Sequence, residues 1–247
     1  MIFRNELLWF CMLVINFGLI LFAYKKFGRI GLYAWIPIST ILANIQVVLL
    51  VDLFGFGTTL GNILYAGGFL VTDILAENYG RKEAQRAVYL GFFSLIAMTL
   101  IMQIAVSFTP SNIEEGIITF NGVKRVFDFM PRIVIASLIS YLISQTHDIW
   151  AYEFWKKKYS EPKHIWIRNN ASTMVSQLID NACFTLIAFY GVYPKEVLIE
   201  IFLTTYFMKF LVAVCDTPFV YIAHYLKKKN LIAVSYTHLR AHETCAD

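Results

Sequence analysis

The chain has 247 residues, 58% of them from the hydrophobic set and only 15% charged, with mean hydropathy +0.59 and a formal net charge of +4. Soluble domains run at about 25% charged. The composition therefore excludes a single soluble domain, a disordered chain and a disulfide-stapled secreted one, and leaves a polytopic membrane protein.

Lys and Arg come in short clusters between long uncharged runs, a pattern of membrane loops and not of a nucleic-acid surface. Cys11, Cys183 and Cys215 sit inside apolar runs and Cys245 lies near the end, with no paired spacing, so neither disulfide nor metal is indicated.

A helix that crosses a bilayer needs about 20 mostly apolar residues. In chain order the predicted spans lie near residues 7–24, 32–54, 58–77, 87–108, 131–151, 170–193 and 197–226. The fold class is all-α, a polytopic helix bundle with about six core helices and an extra N-terminal one. The first span follows Arg4 but has no small-residue cleavage site and is followed by Lys25, Lys26 and Arg29, so it reads as a retained helix and not a signal peptide. The third is loosened by Gly55, Gly57, Gly61, Gly67 and Gly68 and ends in Asp73 and Glu77, which predicts a broken or partly re-entrant segment. Residues 1–31 form the extra helix and a basic loop, and 32–233 the core. Residues 234–247 turn abruptly polar, resemble a translated sequencing adapter and read as a non-native tail; His238, His242 and Cys245 there are not counted as a metal site.

Alternate loops divide the basic residues unequally. Fourteen fall on one side, including Arg81, Lys82, Arg86 and Lys156 to Lys158, against five on the other: Arg4, Lys124, Arg125, Arg132 and Lys195. The positive-inside rule places the N-terminus outside and the C-terminus in the cytoplasm.

Ionisable groups inside a span cost about 2.5–3.5 kcal/mol each on insertion scales, so each one needs a reason. Asp73, Asp148, Asp180, Lys209 and Asp216 are such groups; Glu77 lies one turn beyond Asp73, and Asp52 ends the second span. One lysine cannot neutralise four acids, so these side chains are expected to face one another or a wet cavity. Ser137, Tyr141, Ser144, Gln145 and Asp148 make one polar stripe, and Asn169, Thr173, Ser176, Gln177 and Asp180 another. The serines and threonines of these stripes read as helix packing, whereas Gln145, Gln177 and Asp180 are too long and polar for that role. Asn44 and Asn62 add polar groups on earlier spans, and Tyr141, Phe184 and Tyr206 are placed to stack on a planar ligand.

The sequence has no Walker A loop, HExxH or GxSxG motif, and Gly57 to Gly61 is a GxxxG match that first suggests close helix packing. Nothing in it points to an enzyme or to a bound cofactor.

The ordered set Thr72-Asp73, Glu77, Tyr79-Gly80, Ala84 and Arg86 resembles the T-D-x-x-x-E-x-Y-G-x-x-x-A-x-R signature of the queuosine precursor transporter family, also called the VUT family. Arg132 with Ala136-Ser137, Tyr141, Ser144-Gln145 and Asp148 resembles its next block. Trp166 to Asn170, Ser172-Thr173, Ser176-Gln177 and Asp180 resemble the third, and Lys209 with Asp216-Thr217-Pro218 the last. The likeness covers roughly residues 40–226. The chain departs from the family in its extra first helix and in Asn181, where the family usually has Thr.

The resemblance implies import of a 7-deazaguanine, such as 7-cyano-7-deazaguanine or its aminomethyl relative, for tRNA queuosine. Asn44, Asp73, Glu77, Arg132, Tyr141, Gln145, Asp148, Asn169, Gln177, Asp180, Phe184, Lys209 and Asp216 form the candidate binding set, with no metal. The chemistry agrees: a flat base with two parallel N–H donors suits a carboxylate acceptor, amide groups and aromatic covers. Asp180 with Gln177 is expected to read the donor edge, unless Asp180 simply pairs with Lys209. Accumulation requires an ion gradient, a separate ATPase module served by a binding component, or metabolic trapping. The Asp73/Glu77 pair is the expected proton site, set against a plain Glu77–Arg81 surface pair; an intramembrane enzyme using the same two carboxylates is the rival of another class.

Overall fold

The computed structural model describes residues 2–47, 49–128, 131–191 and 194–233; the predicted tail at 234–247 lies outside them. Its elements in order are α1 (Ile2–Gln46), β1 (Leu50–Leu53), β2 (Phe56–Thr59), α2 (Gly61–Tyr79), α3 (Arg81–Ala105), α4 (Glu114–Asp128), α5 (Pro131–Lys158), α6 (Ile165–Phe189) and α7 (Lys195–Lys228), with a short 3-10 turn at Pro162–His164 before α6. The protein is an all-α membrane protein whose strands form one small hairpin. Among the described residues, three helical stretches are long and apolar enough to cross a membrane: Arg4–Gln46, Arg81–Ala105 and Leu198–Lys228. Helices α5 and α6 carry the polar stripes that dilute their hydropathy.

The first two predicted spans are the two arms of α1, joined at Gly28, whose φ of 57° and ψ of −140° interrupt the helix between Lys26 and Arg29. A positive φ is inexpensive only without a Cβ, and the basic residues around it favour exposure at a bundle end.

The second and third spans differ from the prediction at their junction. Instead of helix to residue 54, the chain leaves α1 at Gln46 and forms an antiparallel hairpin, with Leu50 opposite Thr59 and Leu53 opposite Phe56. Phe54 (φ 54°) and Gly55 (φ 82°) make the two-residue turn, both left-handed as the twist of such a hairpin demands. Asp52 is exposed there and not inside a span. The hairpin is tied to the start of α1: Asn5 Nδ2 donates to the Asp52 carbonyl (3.1 Å), and Phe54 N–H donates to Glu6 Oε1 (2.9 Å).

Helix α2 is continuous from Gly61 to Tyr79, so the expected break does not fall within it; the predicted segment's first residues belong instead to the hairpin. The glycines of α2 permit close packing. At Gly61 a Cβ would stand 2.6 Å from the Ala43 carbonyl oxygen, and at Gly67 2.8 Å from Asn16 Nδ2. All but three of its residues are buried, and it touches α1, α3, α5 and α7. On the α1–α3 side the packing is mainly apolar, with Phe17, Ile20, Leu32, Ile36, Ile63, Leu70 and Ile74 at its centre, while Asn16 and Ser39 of α1 donate to the Ile63 and Leu64 carbonyls of α2. On the α5–α7 side it is polar. Large apolar residues such as Phe10, Phe22, Phe93, Leu100, Ile104, Leu203 and Phe207 point outward, the arrangement expected of a protein solvated by lipid.

The loop after α3 contains α4, an amphipathic helix that the sequence reading left unplaced. Helix α6 begins at Ile165, five residues before the predicted start, because Arg168 and Asn169 are helical and fully buried despite their polarity. The basic clusters converge on one end of the bundle. There Arg29 pairs with Glu83 (2.8 Å), Arg81 with Glu153 (3.4 Å), and the Ala233 N–H donates to the Lys25 carbonyl (3.0 Å).

Replacing Gly61 by Leu should lower the stability of the purified protein by about 1–3 kcal/mol, since the neighbouring atoms are backbone and cannot move aside. Gly122→Ala on α4, where a Cβ meets nothing within 4 Å, should melt like the parent. Thermal melts of the two variants side by side check this, and equal midpoints for all three proteins would contradict the packing role.

Candidate functional site

The polar side chains of α2, α5, α6 and α7 meet along the interior of the bundle. With a helical rise of about 1.5 Å per residue they order into layers, counted here from the basic end.

The first layer is an ion cluster around Glu77. Arg168, fully buried, donates from Nη2 to Glu77 Oε1 (2.6 Å) and from Nη1 to the Tyr159 carbonyl (2.6 Å). Tyr152 OH donates to Glu77 Oε2 (3.2 Å), Lys156 Nζ lies 3.6 Å from the same oxygen, and His224 Nδ1 lies 3.4 Å from Oε1. Lys156 also donates to the carbonyls of Ala76 (3.0 Å) and Glu77 (2.5 Å) at the end of α2. Four helices are thus linked through one carboxylate. Neither expectation for Glu77 describes this: Arg81 pairs with Glu153, and Glu77 is committed to Arg168 instead of sharing a proton with Asp73.

The second layer holds Asp73, Asp148 and Asp216. Thr173 Oγ1 donates to Asp73 Oδ2 (3.0 Å), and Asn169 Nδ2 donates to Asp216 Oδ1 (2.7 Å). Asp148 is fully buried, and neither of its oxygens has a donor in hydrogen-bonding geometry. The Asp73 carboxyl and the hydroxyls of Ser172, Thr173 and Ser176 face it, but the carboxyl donates only when protonated and the hydroxyls are committed elsewhere. Ser172 donates to the Asn169 carbonyl (3.1 Å), Thr173 to Asp73, and Ser176 to the Ser172 carbonyl (2.8 Å). Asp73 Oδ1, Asp216 Oδ2 and Asn169 Oδ1 are likewise buried without a donor.

Above it, Gln145 Oε1 accepts from Thr72 Oγ1 (3.2 Å) while its Nε2 has no acceptor. Gln177 is fully buried with neither end of its amide partnered. The fourth layer is saturated. Asp180 Oδ1 accepts from Tyr65 OH (2.5 Å) and Ser144 Oγ (3.2 Å), and Lys209 Nζ donates to Oδ2. The Lys209 ammonium lies 5.1 Å from the Tyr65 ring centroid, and Tyr141 meets that ring edge-on at 6.1 Å.

Asn44, Arg132 and Phe184 are not in the network. Asn44 donates to the Thr40 carbonyl of its own helix (2.9 Å). Arg132 is exposed and caps the end of α6 through the carbonyls of Ile187 (2.7 Å) and Tyr190 (2.6 Å). Phe184 is half-buried against Phe189, and Tyr206 stacks on Phe202 at 6.4 Å. Conversely, Ser144 and Thr173, read as packing, each donate to a site carboxylate. Tyr65, Tyr152 and Arg168 were missed as site residues. Tyr65 sits two turns before Thr72 on one face of α2, a spacing the sequence does show. A cavity of about 530 Å³ between α3 and α4, lined by Ala105, Val106 and Phe120 among others, contains none of these groups.

Unpartnered buried polar atoms cost about 1–3 kcal/mol each. They are concentrated between Gln145, Asp148, Asn169 and Gln177, where donors and acceptors both lack partners among the described residues. The Asp180–Lys209 pair, by contrast, is a closed structural element. Lys209→Met should destabilise the protein by about 3–5 kcal/mol by stranding a buried carboxylate, and Asp180→Asn in the same chain should recover most of it. A thermal-melt double-mutant cycle reads this; additive losses would show that the two side chains do not act as a pair.

A family described as "Putative vitamin uptake transporter" matches residues 59–223. The "Probable queuosine precursor transporter" of Bacillus subtilis is 40% identical over 219 residues, covering 89% of this chain and 94% of the relative. The "Queuosine precursor transporter" of Escherichia coli is 26% identical over 194 residues, covering 77% and 82%. No solved structure matches the chain. The matched stretch covers α2, α5 and α6 and most of α7, and on these grounds the chain belongs to the queuosine precursor transporter family, a family of membrane transporters and not of enzymes.

Proposed function

We propose that the protein imports a 7-deazaguanine precursor of queuosine, 7-cyano-7-deazaguanine or its aminomethyl relative, across the bacterial inner membrane for salvage into tRNA. The names of its relatives support the substrate class. The observation that carries the site is the fully buried, unpartnered set formed by both oxygens of Asp148 and both ends of the Gln177 amide.

A deazaguanine presents an N–H and an exocyclic amine as parallel donors beside a carbonyl acceptor. An ionised Asp148 accepts the two donors together, and the Gln177 or Gln145 amide N–H groups supply the carbonyl. Asp180, the donor-edge reader expected from sequence, is filled by Lys209, Tyr65 and Ser144, so that role moves two layers toward the basic end, to Asp148. Asp180 and Lys209 then position Tyr65, which with Tyr141 offers aromatic surface above the base. Asn169, Asp73 and Asp216 line the other side. The cluster of Glu77 and Arg168 closes the path at the basic end, which faces the cytoplasm by the positive-inside rule, with the N-terminus outside and six core spans following the first arm of α1.

Cells unable to make the precursor should regain queuosine in tRNA when fed either deazaguanine only if this protein is present. Failure with both compounds would refute the substrate assignment. Asp148→Asn keeps the shape but loses a charged acceptor, a change of roughly 1.5–3 kcal/mol, and should lower uptake at limiting substrate by about tenfold or more. Uptake of radiolabelled base equal to that of the parent would remove Asp148 from the site.

A further inference from the structure

Three buried carboxyls are left over after the network's charges are matched. Glu77 is met by Arg168 and Lys156, and Asp180 by Lys209. Asp73, Asp148 and Asp216 come from three different helices and have, among the described residues, no lysine or arginine at ion-pair distance. Thr173 and Asn169, one helical turn apart on α6, hold Asp73 (3.0 Å) and Asp216 (2.7 Å), and Asp148 is buried beside the same stretch of α6, each carboxyl essentially inaccessible to solvent. Three like charges so close together in a weakly polarisable interior cannot all be ionised.

A separate feature points the same way. Asn169 is fully buried, and its Nδ2 is spent on Asp216, so its Oδ1 stands among carboxylate oxygens with no hydrogen to accept. Amide and carboxylate oxygens are acceptors only, so this concentration of them calls for added hydrogen. The other titratable groups are accounted for. Tyr152 of α5, Arg168 of α6 and His224 of α7 surround Glu77; His147 of α5 meets Ser176 (2.9 Å), and Lys209 is held by Asp180.

We propose that Asp73, Asp148 and Asp216 form one proton-binding site that couples import to inward proton flow. The proton is shared within this group of three carboxyls while Asp148, left ionised, accepts the N–H groups of the substrate. It enters from the outside with the substrate and leaves to the inside with it, and only O–H bonds form and break. The site differs from the Asp73/Glu77 pair suggested by sequence spacing, because Glu77 already has its cations. The inference rests on the import reading above.

The test uses the full-length protein in liposomes that enclose a pH-sensitive dye, with 7-cyano-7-deazaguanine as an uncharged probe. Adding the probe outside should acidify the lumen. An outside-acid gradient of one pH unit should drive accumulation of about tenfold for one proton per substrate. Asp73→Asn and Asp216→Asn should each abolish the acidification, with slower probe exchange persisting. Exchange without acidification in the parent protein, or accumulation driven by a sodium gradient in its place, would overturn the proton site and leave import standing. Undiminished acidification in both variants would overturn its assignment to these carboxyls. Absence of any exchange would instead refute the import reading. Should the asparagine variants fail to fold, Asp73→Glu and Asp216→Glu, which keep a carboxyl but displace it, should shift the pH dependence of the acidification, and unshifted profiles in both would overturn the assignment.

Discussion

The structure depends on how acidic groups are accommodated in a bundle that lipid surrounds. Five acids project inward from α2, α5, α6 and α7 against two fully enclosed cations, Arg168 and Lys209, with Lys156 reaching in from the edge. A solvated protein would turn such groups to water. Here the outer surface is apolar, so the acids must find partners inside or share hydrogens. The cations are placed at two levels, one at the basic end and one beyond the middle, and the layer between them keeps an excess of acceptors. The proposed substrate contacts and the proposed proton site both follow from that placement.

The fold serves this arrangement through α2. One side of the helix is sealed by mainly apolar packing against α1 and α3, where glycines bring backbones close. The other side presents Tyr65, Thr72, Asp73 and Glu77 to α5, α6 and α7. Each of these four touches a different layer, so a tilt of α2 relative to its neighbours would change every layer at once. The two ion clusters differ in kind. The Asp180–Lys209 pair joins two adjacent helices and is fully enclosed, whereas the cluster around Glu77 also gathers the half-exposed Lys156 and His224 and can be reached from the basic end.

Much of this was legible in the sequence because lipid makes polarity conspicuous. Asp73, Asp148, Asp180, Lys209 and Asp216 were identifiable as interior residues, and helical spacing placed Gln145 with Asp148 and Gln177 with Asp180. Partner choice was not legible. Whether Glu77 meets Arg81 on its own chain segment or Arg168 across the bundle depends on how α2 and α6 are aligned, which spacing along one helix cannot reveal. Arg168 looked like a loop residue because a buried arginine and a cytoplasmic one are the same letter. The hairpin at residues 50–59 was hidden by its apolar residues, which suit a strand as well as a span, and Arg132 was carried into the site by family likeness although it caps α6. Hydroxyls such as Ser144 and Thr173 serve packing and hydrogen bonding equally, so only the three-dimensional arrangement separates the roles.

The most direct measurement is an experimental structure of the full-length protein with 7-cyano-7-deazaguanine bound. The expected result is a base lying between α2, α5, α6 and α7, with its N–H edge within hydrogen-bonding distance of Asp148 and its carbonyl facing Gln177 or Gln145. A ligand seated elsewhere, such as the cavity between α3 and α4, with Asp148 and Gln177 unengaged, would contradict the assignment.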